Sequence, residues 1–246
     1  MHNVNDGTGT LETRIKLVRD QSLGTYSFDG GRPSGSTLGV NDYSTSQLML
    51  ELNGDYLNYN LGANTNWYTS NSNKNAEFDY TKALSASAQS LIDDAVWYLG
   101  SFPNRSYPTS QLYQMERGST VWGSTAGQNC SDPSCPRATS WTGKVGLMYT
   151  SDLGFQVGGT VRESCLTNNY SAGVTCSRQP SWKFENMGWL ITGGSNSYSA
   201  VYNASIAYHA AANTQTVYPS VYLKPNVTIS GGNGSKTSPY TFALSS

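Results

Sequence analysis

The chain has two histidines, His2 and His209, so a Ser-His-Asp mechanism has a single internal imidazole to draw on. His209 lies in AYHAAAN, and no G-x-S-x-G elbow occurs to present a nucleophile. It reads as a surface or loop residue. Among the carboxylates, Asp93 and Asp94 are adjacent; on a helix they would point about 100° apart and could not share a substrate. Glu116 and Asp152 are the pair a glycan-directed hydrolase would use, since that chemistry needs two acids roughly 5–10 Å apart across a cleft. The competing reading pairs Glu116 with Arg117, Arg162 or a loop backbone, and it is the preferred one.

Four cysteines form two close pairs, Cys130 with Cys135 and Cys165 with Cys176, in the loops CSDPSC and CLTNNYSAGVTC. Four cysteines allow three connectivities, and the local pairing is expected. A zinc site would call for C-x-x-C or Cys/His spacing, whereas four and ten residues intervene here. Disulfides imply an oxidising compartment. Asp6-Gly-Thr-Gly and Gly231-Gly-Asn-Gly-Ser lack the carboxylate density of a calcium loop and read as turns. No metal or cofactor is implied.

Segment 193–213, GGSNSYSAVYNASIAYHAAAN, carries the main binding candidate. Ser195, Asn196, Tyr198, Tyr202, Asn203, Ser205, Tyr208, His209 and Asn213 alternate with small residues. A strand would place the Tyr and Asn side chains on one face. Rigid Tyr contact area with adaptable Asn and Ser hydrogen bonding is the composition of a paratope. Trp189, at the head of the preceding strand, joins this candidate ligand face. An ordinary amphipathic strand is the equally open alternative.

Composition supports a surface role. Charged residues make up 13% of the chain, about half the usual share, while 17 Tyr and 6 Trp supply aromatic area. A net charge of −1 without a basic stretch argues against nucleic acid. No apolar run reaches the roughly 18 residues of a membrane span. Met1 leads directly into HNVNDG, so an export or anchoring segment is expected to precede this chain in the natural protein, with Met1 an added start. Any membrane attachment would run through that N-terminal anchor.

The elements expected to position these residues begin with a strand at 11–18. A Gly/Ser-rich loop anchored by Tyr26 and Phe28 follows. A short helix over about 45–53 would be capped by Ser44 or Thr45 and stopped by Asn53-Gly54. The best helical periodicity covers 81–99, with Leu84, Ala88, Leu91, Ile92, Ala95 and Leu99 on one face and Gly100 as its stop. A third helix is expected over 109–117. Strands follow at GKVGLMYTS, GFQVGGTV and Trp189-Leu190-Ile191, then a strand or hairpin at SYSAVYNASIAYHA. The segment VYPSVYLKPNVTI reads as an edge strand because of Pro219 and Pro225, with a last strand after a Gly-rich turn. Helices early and strands late predict one α+β domain over 1–246.

Several blocks occur in a characteristic order: NDYSTSQLMLELN at 41–53, IDDAVWYLG at 92–100, YQMERGSTVW at 113–122, WTGKVGLMYTSD at 141–152, WLITGGS at 189–195 and VYPSVYLKPNVTISGGNGSKTSPYTF at 217–242. The set resembles an uncharacterised domain of Firmicutes-type bacterial surface proteins, often carried with a prepilin-like or anchoring N-terminal segment. The later blocks also resemble the C-type-lectin-like fold of formylglycine-generating enzymes. Tyr218 replaces the Arg common in that fold, and the cysteine pairs sit outside its copper-binding position, so oxidase activity is not implied. The resemblance implies a C-type-lectin-like domain with peripheral helices, an irregular β-sheet core, long loops and two local disulfides. It places the ligand face, and the hypervariable positions of retroelement-diversified members, in the region of 193–213. The expected role is extracellular recognition or adhesion towards a host or bacterial surface protein or glycan. A secreted glycan-directed hydrolase and a structural pilin-like subunit are the alternatives, and the oligomeric state is left open.

Overall fold

The computed structural model describes residues 2–30, 41–58, 67–69, 78–101, 106–118, 138–155, 159–167, 188–194, 199–202, 207–235 and 237–245, with backbone alone at 2, 159–162, 199–202 and 207–208. Four short strands come first: β1 (His2–Asn5), β2 (Leu11–Arg14), β3 (Lys16–Val18) and β4 (Thr25–Ser27). Then come α1 (Gln47–Glu51), α2 (Ala86–Ser90), β5 (Ala95–Tyr98), α3 (Thr109–Glu116), β6 (Ser140–Gly143), β7 (Val145–Gly146), α4 (Thr150–Phe155) and α5 (Gly159–Thr167). The C-terminal part holds β8 (Trp189–Gly193), β9 (Ser199–Tyr202), β10 (Ala207–Ala210), β11 (Thr214–Thr216), β12 (Ser220–Tyr222), β13 (Val227–Gly231) and β14 (Thr241–Leu244).

The architecture is mixed, with small sheets and few, short helices. The strands pair as β1–β2, β4–β11, β5–β6 and β13–β14, and as two three-stranded sheets ordered β10-β9-β8 and β3-β12-β7. Strands occupy both ends of the chain and helices the middle, which corrects the expected order of helices first and strands last. One apolar core extends from Val4 to Val227. Its centre is aromatic: Phe28, Tyr43, Trp67, Trp97, Tyr149 and Trp189 are all buried.

Local chemistry explains most elements. Ser46, not Ser44 or Thr45, caps α1 by accepting the Met49 N–H at 3.1 Å. Asn53 does not stop this segment. The chain continues through a π turn at Leu52–Tyr56, and the Asn53 amide ties it to β7, donating to the Val145 carbonyl at 3.0 Å and accepting the Val145 N–H at 3.1 Å. The Gly-rich turn before β14 uses positive φ at Gly232 (81°) and Gly234 (77°), a conformation that glycine adopts freely. Asp6 closes the first hairpin by accepting the Thr8 N–H at 2.8 Å.

Three expectations are corrected. The long helix over 81–99 is instead a 3-10 turn at Tyr80–Lys82, the short α2, and strand β5. Ala95, Trp97 and Leu99 are buried and alternate with less buried neighbours, so the same apolar residues satisfy a period of two. The β-preferring Val96-Trp97-Tyr98 run, paired with β6, decides for strand. GFQVGGTV does not form a strand: residues 156–158 lie outside the described set and α5 begins at Gly159. The hydroxyls of Thr109 and Ser110 on α3 donate to the carbonyls of Cys165 (2.6 Å) and Leu166 (3.0 Å), satisfying acceptors that the end of α5 leaves open. Finally, β12 is not an edge strand. It is the middle strand between β3 and β7, short enough that Pro219 and Pro225 both fall outside its ladder. The helix over 109–117 and the strand at Trp189-Leu190-Ile191 agree with the structure.

Gly100 ends no helix; it lets β5 approach α3. Its N–H donates to the Glu116 carbonyl at 3.0 Å, and an added Cβ would lie 2.2 Å from the Met115 oxygen. Gly100→Ala is therefore expected to lower unfolding free energy by about 1–3 kcal/mol, read from urea titration. An unchanged midpoint would show that α3 can yield at no cost.

Candidate functional site

The densest polar arrangement among the described residues lies inside the protein, where the end of α3 meets the start of α4. A six-residue helix leaves its first N–H groups without intrahelical partners. Here the Thr150 N–H donates to the Thr192 hydroxyl at 3.3 Å, and the Ser151 N–H donates to Glu116 Oε1 at 3.1 Å. Glu116 also accepts from the Thr192 hydroxyl at 2.9 Å and from the Ser151 hydroxyl at 2.5 Å. It is 0% exposed. A carboxylate at a helix N-terminus is favoured by the helix dipole as well as by these donors. Burial still outweighs them and raises the Glu116 pKa, with Arg117, 3.6 Å away, opposing the rise.

Asp152 stands three residues into the same turn and reaches back to accept the Tyr149 N–H at 2.8 Å, the reciprocal half of a capping box. The same oxygen meets Lys16 Nζ at 2.5 Å. Lys16 comes from β3, and its Nζ lies 4.4 Å from the Tyr149 ring centroid, 5.2 Å from that of Trp97 and 5.6 Å from that of Tyr222. Burial lowers the Lys16 pKa, against the attraction of Asp152. The Arg117 guanidinium covers the Tyr113 ring at 3.5 Å and faces the Tyr149 ring at 4.6 Å. Burial also holds the Tyr149 phenol far above its usual range, and its oxygen accepts the Tyr98 N–H at 2.7 Å. Two cations and two anions thus share one aromatic box formed by β3, β5, α3, α4, β8 and β12.

This arrangement decides the carboxylate question geometrically. Glu116 spends both oxygens on Ser151 and Thr192, and Asp152 is committed to Lys16 and its own helix turn. The ion-pair reading of Glu116 with Arg117 holds, and no cleft of facing acids is needed to explain either residue. Lys16, Ser151, Thr192 and Tyr222 were missed by sequence reasoning. Two signals were available: a charge between Ile15 and Leu17 in a strand, and a Ser-Asp pair one residue after the apolar Leu147-Met148-Tyr149 run.

The expected ligand residues distribute differently. Ser195, Asn196, Tyr198 and Asn203 lie outside the described residues. Trp189 is corrected to a core residue: it is 1% exposed, donates its indole N–H to the Tyr26 carbonyl at 2.8 Å, and packs edge-on against Phe28. No ring face remains for a ligand. Tyr202 and Tyr208 lie on β9 and β10, an antiparallel pair in which Tyr202 is opposite Ala207 and Tyr208 opposite Val201. His209, opposite Ala200 in the ladder, is half-buried, and its Nδ1 lies 3.5 Å from the Asn213 amide. Cys130, Cys135 and Cys176 lie outside the described residues, and Cys165 is buried in α5. Among the described residues no group of three or more His, Cys, Asp or Glu could hold a metal ion. None of their helices is long and apolar enough to cross a membrane.

No family model, curated protein or solved structure matches the chain. Function must therefore be argued from its own residues.

The raised Glu116 pKa has a defined consequence for stability. Between the ordinary Glu value, about 4.3, and the raised native value, the folded state holds more protons than the unfolded state. Stability therefore falls as pH rises through that window. Urea midpoints measured across it should decline with pH in the wild type and show a flatter dependence in Glu116→Gln. Equal slopes in both proteins would mean that Glu116 is not buried as a strained carboxylate.

Proposed function

We propose that this chain is an extracellular recognition or adhesion domain of a bacterial surface protein, C-type-lectin-like in fold, which binds a protein or glycan through the segment 195–210. The observation that carries this reading is the build of the β10-β9-β8 sheet. Every residue of β8 is buried, and the β9–β10 pair extends the sheet from that core strand. A Tyr- and Asn-rich segment attached to a core strand is suited to shallow contact without covalent chemistry. With Trp189 spent on the core, contact is proposed to fall to Tyr202, Tyr208 and His209 and to Ser195, Asn196, Tyr198 and Asn203. Local disulfides, Cys130–Cys135 and Cys165–Cys176, belong to the same reading; Cys165, the one described cysteine, is not a free thiol. The low charge content supports an exported surface built on Ser, Asn and Tyr.

A structural, pilin-like subunit is the second reading, favoured by the C-terminal hairpin. Ile229, Tyr240 and Leu244 are 54%, 50% and 43% exposed there. Apolar groups grouped on one hairpin are an association surface more often than scattered single residues are.

Two measurements separate these readings. On a glycan and surface-protein array, the recognition reading expects a saturable ligand whose affinity falls about tenfold or more in Tyr202→Ala or Tyr208→Ala, with melting unchanged. Absence of any ligand, together with concentration-dependent assembly abolished by Ile229→Lys, would replace it with the subunit reading.

A further inference from the structure

We infer that Lys16 and Asp152 form an intramolecular amide crosslink, joining β3 to the first turn of α4 by a covalent bond between side chains. The inference stands on their contact and its surroundings and is independent of the recognition role.

The reacting groups are already in place. Lys16 Nζ lies 2.5 Å from Asp152 Oδ2, and the carboxyl carbon is one C–O bond behind that oxygen. This puts the amine at the edge of the near-attack range, roughly 3–3.5 Å. Neither partner is free to drift. Lys16 Nζ is walled by the rings of Trp97, Tyr149 and Tyr222. Asp152 is held by the Tyr149 N–H, and its neighbour Ser151 is anchored on Glu116. Holding two groups in one orientation gives effective molarities of about 10⁵–10⁸ M, which lowers the barrier to condensation.

Burial adds a driving force. An ion pair in a dry site retains a desolvation penalty of several kcal/mol per ion, and condensation removes both charges at once. The lowered Lys16 pKa acts in the same direction, because the neutral amine is the nucleophile.

The step balances without any co-reactant. A proton passes from the Lys16 ammonium to the Asp152 carboxylate, giving amine and carboxylic acid. The Nζ lone pair attacks the carboxyl carbon and a C–N bond forms. One C–O bond breaks, and that oxygen leaves as water with two protons that began on Nζ. Oδ2 remains as the amide oxygen, and the Tyr149 N–H that faces it stabilises the negative charge it carries in the tetrahedral intermediate. Nζ keeps one hydrogen. Nothing is oxidised or reduced.

The link would span 136 positions of sequence. It would tie the three-stranded sheet to the helical junction and resist forced unfolding along that path.

The test is intact mass of the full chain after reduction and denaturation, followed by peptide mapping. The expected result is a mass one water below the sequence mass and a branched peptide joining Lys16 to Asp152. Lys16→Arg, which keeps the charge but cannot form this amide, should return to full sequence mass. Asp152→Asn should give the same branched peptide by losing ammonia in place of water. A wild-type chain at full sequence mass, with Lys16 and Asp152 in separate linear peptides, overturns the inference. So does a water deficit that maps to Asp6-Gly7 or Asp29-Gly30, where a backbone succinimide would produce it.

Discussion

Four ionisable side chains, Lys16, Glu116, Arg117 and Asp152, brought into an aromatic core as the chain folds, govern the arrangement it must reach, before any bond forms between Lys16 and Asp152. Removing an ion from water carries an effective penalty of several kcal/mol, while each charge-assisted hydrogen bond returns about 1.5–3 kcal/mol. One partner is therefore not enough. Glu116 has three donors from Ser151 and Thr192 with Arg117 nearby, and Asp152 has Lys16 and the Tyr149 N–H. Those partners come from β3, α3, α4 and β8, which meet nowhere else in sequence. Satisfying the charges thus requires all four elements to converge in one arrangement. A hydrophobic core alone tolerates more alternatives than this.

The helices follow from the same demand. At six residues, α4 is too short to persist by propensity, and its first N–H groups are met by side chains of α3 and β8. Sheet β3-β12-β7 forms the opposite wall. Tyr222 on β12 pairs with Lys16 on β3, so the ring that shields the ammonium and the strand that carries it are set by one register. Trp97 reaches the same space from β5 and packs 4.8 Å from Tyr222.

Much of the outline was legible in the residues. Ordered signals stood at α3, at β8, at the β9–β10 hairpin and at the turns around Asp6 and Gly232. The failures have physical causes. Residues 81–99 carry apolar positions compatible with two periods, and only pairing with β6 decides between them. Pro219 and Pro225 suggested an edge, but a three-residue strand fits between two prolines and still pairs on both sides. Trp189 looked like a binding residue by composition; its indole N–H found a buried carbonyl and so took the ring inward. The charge between Ile15 and Leu17 was a weak signal for Lys16, because a lysine in a strand ordinarily faces water and the anion that holds it lies 136 positions away. Glu116 and Asp152 were weighed as a hydrolase's acid pair, and the preferred reading of Glu116, as an ion-pair or hydrogen-bonded residue, agrees with its contacts.

The frame and the proposed contact segment therefore differ in kind. The described interior holds its charges through named partners, whereas 195–210 is a polar, Tyr- and Asn-rich stretch by sequence. The central claim, that the buried charges organise the frame, is tested most directly by native-state hydrogen exchange. The amides of Ser151, Tyr149 and Tyr98, which donate to Glu116, Asp152 and Tyr149, should exchange only through global unfolding. If they exchange as fast as the amides of the exposed C-terminal hairpin, the charged junction opens locally and cannot be what holds the fold together.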